Sequence, residues 1–188
     1  AGMHGQMDYM AKYGSARVKA DTILPGTVRI VSVKVPYLPA SMWRNTPPQW
    51  QSDLQALQQG QVPYVSLYAR GRDYHKVIRK RLQQLANAVN REVGSFAYRV
   101  TVDSAPTPEV EIARKAGLGW RGKHTLLIHP KQGSFFFLGE VFTNLPLLED
   151  AEFEAQHCGA CTACMQVCPT QAIVAEGVVD ARRCVSYL

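Results

Sequence analysis

No cysteine occurs before residue 158, although the chain of 188 residues has five. Disulfide stapling is therefore excluded for most of the molecule. No apolar run approaches the roughly 20 residues of a membrane-spanning helix. The opening AGMHGQMDYMAKYG lacks the apolar stretch of a secretory signal. These absences point to a cytoplasmic protein with no membrane partner, and in that compartment clustered cysteines are metal ligands rather than disulfides. There is no internal repeat and no low-complexity tract. Acids are outnumbered, 15 against 21 lysines and arginines, leaving a net charge of +6. That excess suits an anionic partner, nucleic acid being the commonest, or simply a basic surface. With 46% hydrophobic and 19% charged residues, the composition is that of an ordinary globular protein,. The length suffices for one sizeable core and a small appendage.

The five cysteines lie between Cys158 and Cys184. This shift in composition marks a boundary near residues 146–156, dividing a main domain, 1–148, from an appendage, 149–188. Cys158, Cys161, Cys164 and Cys168 read as C-x2-C-x2-C-x3-C-P. Thiolates suit zinc, Cu(I) or iron–sulfur clusters. Structural zinc uses two separated C-x2-C pairs, whereas this run is that of bacterial ferredoxins, whose fourth cysteine serves the other cluster. Cys158, Cys161 and Cys164 are thus expected around one corner of a cubane. Cys168 is expected to turn away at the start of a helix read from PTQAIVAEG. Two [4Fe–4S] clusters take roughly eight cysteines, so Cys168 and Cys184 form half of a second site, the first half of a ferredoxin unit. The alternative is one cluster held by the first three cysteines plus Cys168 or Cys184. The count, the start at Ala1 and the stop at SYL suggest a fragment, truncated at its C-terminus and at both ends by expectation.

In the main domain, GQMDYMAKY reads as a short helix and TVRIVSVKVPYLP as a core strand ending at proline. SMWRNTPPQWQSDLQALQQGQVP reads as a loop with one short helix. From Asp73 to about Val93, apolar residues fall at spacings of three and four, which predicts an amphipathic helix. SFAYRVTVD reads as a strand. PEVEIARKAGLGW reads as a short helix that stops at Gly117 or Gly119. HTLLIHP and GSFFFLGEVFT read as two strands joined through Pro130 and Gly133. Strands alternating with helices predict an α+β or α/β sandwich.

The stretches HGQMDYMAKYGSAR, LPGTVRIVSVKVPYLP, YARGRDYHKVIRKRL, VDSAPTPE, AGLGWRGKHTLLI, GSFFFLGE, CGACTACMQVCPTQAI and DARRCVSYL, in this order, resemble the epoxyqueuosine reductase family along essentially the whole chain. The resemblance implies an α+β protein: a nitroreductase-like α/β sandwich that holds base-off cobalamin, followed by half of a ferredoxin-like two-cluster [4Fe–4S] domain. It implies reduction of epoxyqueuosine to queuosine at the wobble position of tRNA. Electrons would come singly from an external donor through the clusters, and the enzyme is expected to be a monomer. The rival readings are a reductive dehalogenase-type enzyme acting on a small molecule and a domain that only binds nucleic acid.

Within VDSAP, the resemblance implies Asp103 as proton donor. Read alone, Asp-Ser-x-Pro is an Asx-turn or a helix cap. An acid that keeps its proton near neutral pH is expected to be buried, here beneath the corrin. Lys123, His124 and Ile128 are cobalamin-pocket candidates, although the family usually has Asn where His124 stands; a plain turn and strand is the other reading. Glu140 is expected to line the pocket or cap a strand, and Ser186 to lie where cluster meets corrin. Asp73-Tyr74-His75 begins like the D-x-H-x-x-G signature of histidine-bound cobalamin. Ile78 replaces the glycine, so no His75–cobalt bond is expected, and His75 belongs to a helix surface or a pocket. Arg70, Arg72, Lys76, Arg79, Lys80 and Arg81 form the expected phosphate-contacting surface, or else a solvated helix face.

Overall fold

The computed structural model describes residues 2–39, 49–60, 63 and 65–187. Its first elements are α1 (Tyr9–Lys12), β1 (Arg29–Pro36), α2 (Gln49–Gln58), α3 (Tyr74–Val93), β2 (Tyr98–Thr101) and α4 (Glu109–Lys115). There follow β3 (Trp120–Arg121), β4 (Leu127–Ile128), β5 (Phe136–Thr143), α5 (Ala163–Val167), β6 (Ile173–Ala175) and β7 (Val178–Val179). The expected loop over residues 40–48 lies outside the described residues. No helix among the described residues is long and apolar enough to cross a membrane.

The main sheet is antiparallel with order β1-β5-β2. β1 pairs with β5 along its whole length, from Arg29↔Thr143 to Pro36↔Phe136, and β2 pairs from Tyr98↔Thr143 to Thr101↔Glu140. Because side chains alternate along a strand, β5 has two working faces. Phe137 and Val141 pack with Val102 against Ile78 and Leu82 of α3. Phe136 and Leu138 pack with Leu127 against Ala113 of α4. Each large apolar side chain buried this way contributes about 1.5–3 kcal/mol, as an upper estimate. On the α3 face, Gly139 lets the helix come close: a Cβ there would sit 3.0 Å from Leu82 and 3.1 Å from Ile78.

The helix α3 forms where the three-and-four spacing predicts. Asp73 caps its N-terminus by accepting from the His75 N–H at 3.0 Å,. Ile78, Leu82 and Ala86 are its buried stripe, and Gly94, at φ +85°, ends it. Leu85, read as part of that stripe, is 45% exposed instead.

Two readings are corrected. HTLLIHP does not form a long strand beside GSFFFLGEVFT. Only Leu127–Ile128 is extended, it pairs with Trp120–Arg121, and a single His129↔Gly133 bridge closes the turn before β5 enters the main sheet. Pro130 has no N–H for a ladder and Thr125 is at φ +75°, so the strand cannot lengthen in either direction,. PTQAIVAEG is not a helix. β-branched Ile173, Val174, Val178 and Val179 make the hairpin β6–β7 around Gly177 at φ +68°,.

The cysteine-bearing segment is tied to the sheet region at several points. The Phe153 ring stacks on Trp120 at 5.8 Å, and its N–H donates to the Arg114 carbonyl at 3.2 Å. The Ala181 N–H donates to the Met3 carbonyl at 2.9 Å, and the Gln6 N–H to the Tyr187 hydroxyl at 2.7 Å. Gly119, at φ +154°, brings β3 so close to β4 that a Cβ would lie 2.2 Å from the Ile128 carbonyl oxygen.

Candidate active site

Asp103 stands where β2 ends. Val102 is anchored in the core, the chain turns with Ser104 N–H donating to the Val102 carbonyl at 2.7 Å, and Asp103 itself adopts φ +53°. Such a conformation is unfavourable for a residue with a Cβ and persists only where neighbours hold it. Three groups do so. The Tyr74 hydroxyl donates to Asp103 Oδ2. His75 Nε2 lies 3.1 Å from the same oxygen. The Asp103 N–H donates to Glu109 Oε1 at 2.5 Å.

Tyr74 and His75 are placed by the N-terminus of α3. The Tyr74 ring stacks on Phe137 at 4.0 Å with 6° between the planes. Burial first, then the hydrogen bond to Asp103, raises the Tyr74 pKa, so this phenol stays a donor. Asp73 Oδ1 lies 3.0 Å from His75 Nδ1, and that bond holds the Asp73 carboxyl below its usual range. The result is an Asp73–His75–Asp103 chain. His75 thus turns out to be a site residue through Asp103. The Asp103 side chain is 53% exposed, facing the cavity.

Behind this loop lies a pair of carboxyls that sequence reading missed as a pair. Glu140 is 0% exposed. Thr101 Oγ1 donates to its Oε2 at 2.8 Å, while its Oε1 is buried without a hydrogen-bond partner. Burial foremost, and then the neighbouring carboxyl, pushes the pKa of Glu140 up, and burial likewise pushes up that of Glu109. The available signal was an acid flanked by apolar residues on both sides in FFFLGEVF.

Asp103 opens onto a cavity of about 1320 Å3. The 103–111 stretch forms one wall, Met10, Tyr13 and Arg17 another, and Gly177–Val179 of the β6–β7 hairpin a third. The β3–β4 turn contributes Arg121 and Thr125. Lys123, His124 and Ile128 do not line this cavity, and the enclosed Glu140 does not reach it. His124 Nδ1 accepts from the Leu126 N–H at 3.1 Å, and its imidazole pKa is lowered by burial. Ile128 packs over Gly122. Lys123 points to the cysteines instead: its Nζ donates to the Gly159 carbonyl at 2.7 Å and pairs with Glu176 at 2.6 Å.

The five cysteines are free thiols; Cys161 is exposed and the others are partly buried. Cys164 lies in α5, and the Cys161 N–H donates to the Cys158 carbonyl at 2.8 Å. Among the described residues, no group of three or more His, Cys, Asp or Glu is gathered to hold a metal ion, so the cubane corner expected of Cys158, Cys161 and Cys164 is not drawn together here. The donor chemistry nevertheless fits a cluster. The Ala172 N–H donates to Cys168 Sγ at 3.3 Å, and backbone N–H groups lower the Cys168 pKa, as a thiolate ligand requires,. Ser186 is exposed two residues past Cys184. Arg72, Lys76, Arg79, Lys80 and Arg81 are exposed on or beside the Asp103 end of α3. Arg70, also exposed, donates from Nε to the Val65 carbonyl at 2.8 Å.

Residues 17–104 match the family model described as "Epoxyqueuosine reductase QueG, DUF1730", which ends one residue past Asp103, and residues 157–188 match "4Fe-4S double cluster binding domain". The chain is 50% identical to the epoxyqueuosine reductase of Pseudomonas aeruginosa over 100% of this chain and 50% of the relative. To that of Escherichia coli it is 47% identical over 98% of this chain and 46% of the relative. The chain thus spans about half the length of the curated relatives it matches. Among solved structures, the epoxyqueuosine reductase from Streptococcus thermophilus superimposes with TM-score 0.71 at 28% identity, covering 89% of this chain and 42% of that one. An epoxyqueuosine reductase crystallised with an epoxyqueuosine-modified tRNA-Tyr stem loop gives TM-score 0.69 at 28% identity, over 89% and 42%.

Proposed function

We propose, from a chain that is similar to epoxyqueuosine reductases from end to end, that it supplies the acid site and cluster thiolates of an enzyme reducing epoxyqueuosine to queuosine at the wobble position of tRNA. In this reading, residues 1–148 are a nitroreductase-like α/β sandwich holding base-off cobalamin, and residues 149–188 are the [4Fe–4S] part. The cavity beside Asp103 has the size for a macrocycle, and its wall of Met10 and Tyr13 is apolar enough for one face of it. Cobalamin, when bound, supplies a strongly reducing centre. Cys158, Cys161, Cys164, Cys168 and Cys184 would supply part of the thiolate ligands of two clusters, and the clusters would supply electrons taken from an external donor. Lys123 and Ser186 belong with the cluster-binding segment rather than with the cavity wall.

Opening the epoxide and losing its oxygen as water consumes two electrons and two protons. Asp103 gives the proton to the departing alkoxide. Tyr74 and His75 fix the carboxyl at the mouth of the cavity, and Asp73 fixes His75. Exposed Arg72, Lys76 and Arg79 meet the phosphates of the anticodon arm. The observation that carries this reading is the single cavity onto which both the Asp103 loop and the β6–β7 hairpin of the cysteine-bearing segment open. It supports a proton donor and an electron route that meet at one substrate.

The deciding experiment is single-turnover conversion of an epoxyqueuosine-containing stem-loop by the full-length enzyme. Asp103→Ala retains cobalamin and iron but loses at least about 100-fold in rate, the lower end of general acid catalysis. Asp103→Asn keeps the shape and any capping carbonyl yet is nearly as slow. An active Asn variant removes Asp103 as the proton source.

A further inference from the structure

Glu109 and Glu140 have no part in the reaction as described, yet they sit where a carboxyl is hardest to keep. Glu140 occupies the middle of the central strand, in register with Ser32 on β1 and Thr101 on β2. It has one hydrogen bond, from Thr101, and one oxygen with no partner. A buried polar atom left unpaired is unfavourable, and an apolar residue of similar size would pack in its place. The carboxyl that acts on it electrostatically is that of Glu109, the first residue of α4. Glu109 in turn accepts the backbone N–H of Asp103 at 2.5 Å. That N–H belongs to a residue at φ +53°, a conformation without intrinsic preference for its place,.

We propose that Glu109 is the positioning residue that latches the Asp103 loop, and that Glu140 keeps the latch closed by sharing a proton with it. This inference rests on the reading of Asp103 as the acid. While the pair holds one proton, Glu140 presents a neutral carboxyl to Glu109, and Glu109 keeps an oxygen free for the Asp103 N–H. When that proton is lost, two negative charges face each other, one of them on the fully buried Glu140. Repulsion then moves Glu109, the member nearer the surface, together with the backbone it holds.

The surrounding groups relieve that repulsion only in part. Burial and the Asp103 charge oppose ionisation of Glu109, while the Asp103 N–H that it accepts and the charge of His75 on α3 favour it. On the sheet side, Glu140 has the Thr101 hydroxyl from β2 and, from β1, Ser32, whose own Oγ is buried without a partner. No lysine or arginine contributes to either carboxyl. The pair is thus a proton-dependent clasp under a loop that must hold a side chain at one point of the cavity.

The test uses the full-length enzyme loaded with cobalamin and clusters, with hydrogen exchange resolved at the Asp103 amide and single-turnover conversion measured in parallel. Glu109→Ala lowers the protection factor of that amide by at least about 10-fold, and slows conversion by about 10–100-fold, as loss of a hydrogen bond to a charged group does. Glu109→Gln, whose side-chain carbonyl still accepts the N–H, restores most of both. In the wild type the protection factor falls as pH rises past the second ionisation of the pair, and Glu140→Gln abolishes that fall. Unchanged protection in Glu109→Ala, or a Gln variant as poor as Ala, overturns the latch. A pH-dependent fall that survives in Glu140→Gln overturns the shared proton. Lost protection with unchanged conversion would instead strike at Asp103 as the acid and leave the latch standing.

Discussion

The sheet region and the cysteine-bearing segment treat their protons in opposite ways. Glu109 and Glu140 are driven by burial to retain protons at pH values where carboxyls ordinarily lose them. Cys168 is driven by backbone N–H groups to give its proton up. Each solution comes from the local construction. The sheet region encloses Glu140 completely and Glu109 in part. The segment from 149 to 187 encloses almost nothing: Ala172 is its one buried apolar residue among those described, and Asp180 its one buried polar residue. Backbone amides are the means left to it. The difference teaches where order resides. A core stabilises the first region, whereas the second depends on its attachments and on what its thiolates bind.

The sharpest way to break that contrast is to remove the metal. Chelation of the reconstituted full-length enzyme should abolish the cluster absorbance and expose the amides of residues 157–187 to rapid exchange, because so short a segment with so little core is stabilised chiefly by its ligand. The amides of β1, β5 and α3 should keep their protection, since both apolar clusters are built from residues before Thr143. Equal loss of protection in both regions would show that the sheet region has no independent stability.

A smaller effect is expected from Glu140→Gln. The Glu140 pKa rises from 4.5 to about 8 in the folded protein. A raised folded value means that the stabilising contribution is fully present below the unfolded pKa, near 4.5, and is lost as pH climbs through about 8. Over that window the unfolded chain is ionised while the folded one still holds the proton. The wild type should therefore lose stability from pH 5 to pH 8, by on the order of 3 kcal/mol. Glutamine has no proton to lose, so its curve should fall less steeply across the window, keeping the part due to Glu109, whose pKa burial raises as well. Denaturant titrations at pH 5, 6.5 and 8 compare the two; parallel curves would mean that Glu140 is ionised throughout.

The periodic parts of the fold were legible in sequence: α3 from its spacing of three and four, and β1 and β5 from β-branched and aromatic runs; the cysteine spacing was legible as that of a cluster-binding segment, in agreement with the family match over residues 157–188. What was not legible came from contacts between distant positions. The turn that carries Asp103 is held by Tyr74, His75 and Glu109, which lie on two different helices. Glu109 had looked like an ordinary first-turn acid. PTQAIVAEG was misread because so short a run of Ile, Val and Ala fits either period, and pairing of Ile173 with Val179 decides it. Lys123 was assigned to the cavity by analogy, and its pairing with Glu176 across the seam takes it to the cysteines.

The smallest expected effect concerns the outer surface of α3, which neither region buries. Arg72, Lys76 and Arg79 project beside the Asp103 end of the helix, and the Lys76 side chain is 87% exposed. Its contact with Asp73 is 3.9 Å long, too weak and too wet to hold the ammonium in place,. If these cations meet tRNA phosphates, changing all three to Ala releases fewer counterions on binding. The slope of log K against log salt should then fall by about 2, taking about 0.7 per phosphate for a single-stranded loop. Cobalamin binding should be spared, because none of the three lines the cavity. Affinity measured for a stem-loop between 50 and 200 mM salt, about a fourfold range, gives the slope directly. A slope that does not change returns this face of α3 to a solvated helix surface and moves the tRNA contact elsewhere on the protein.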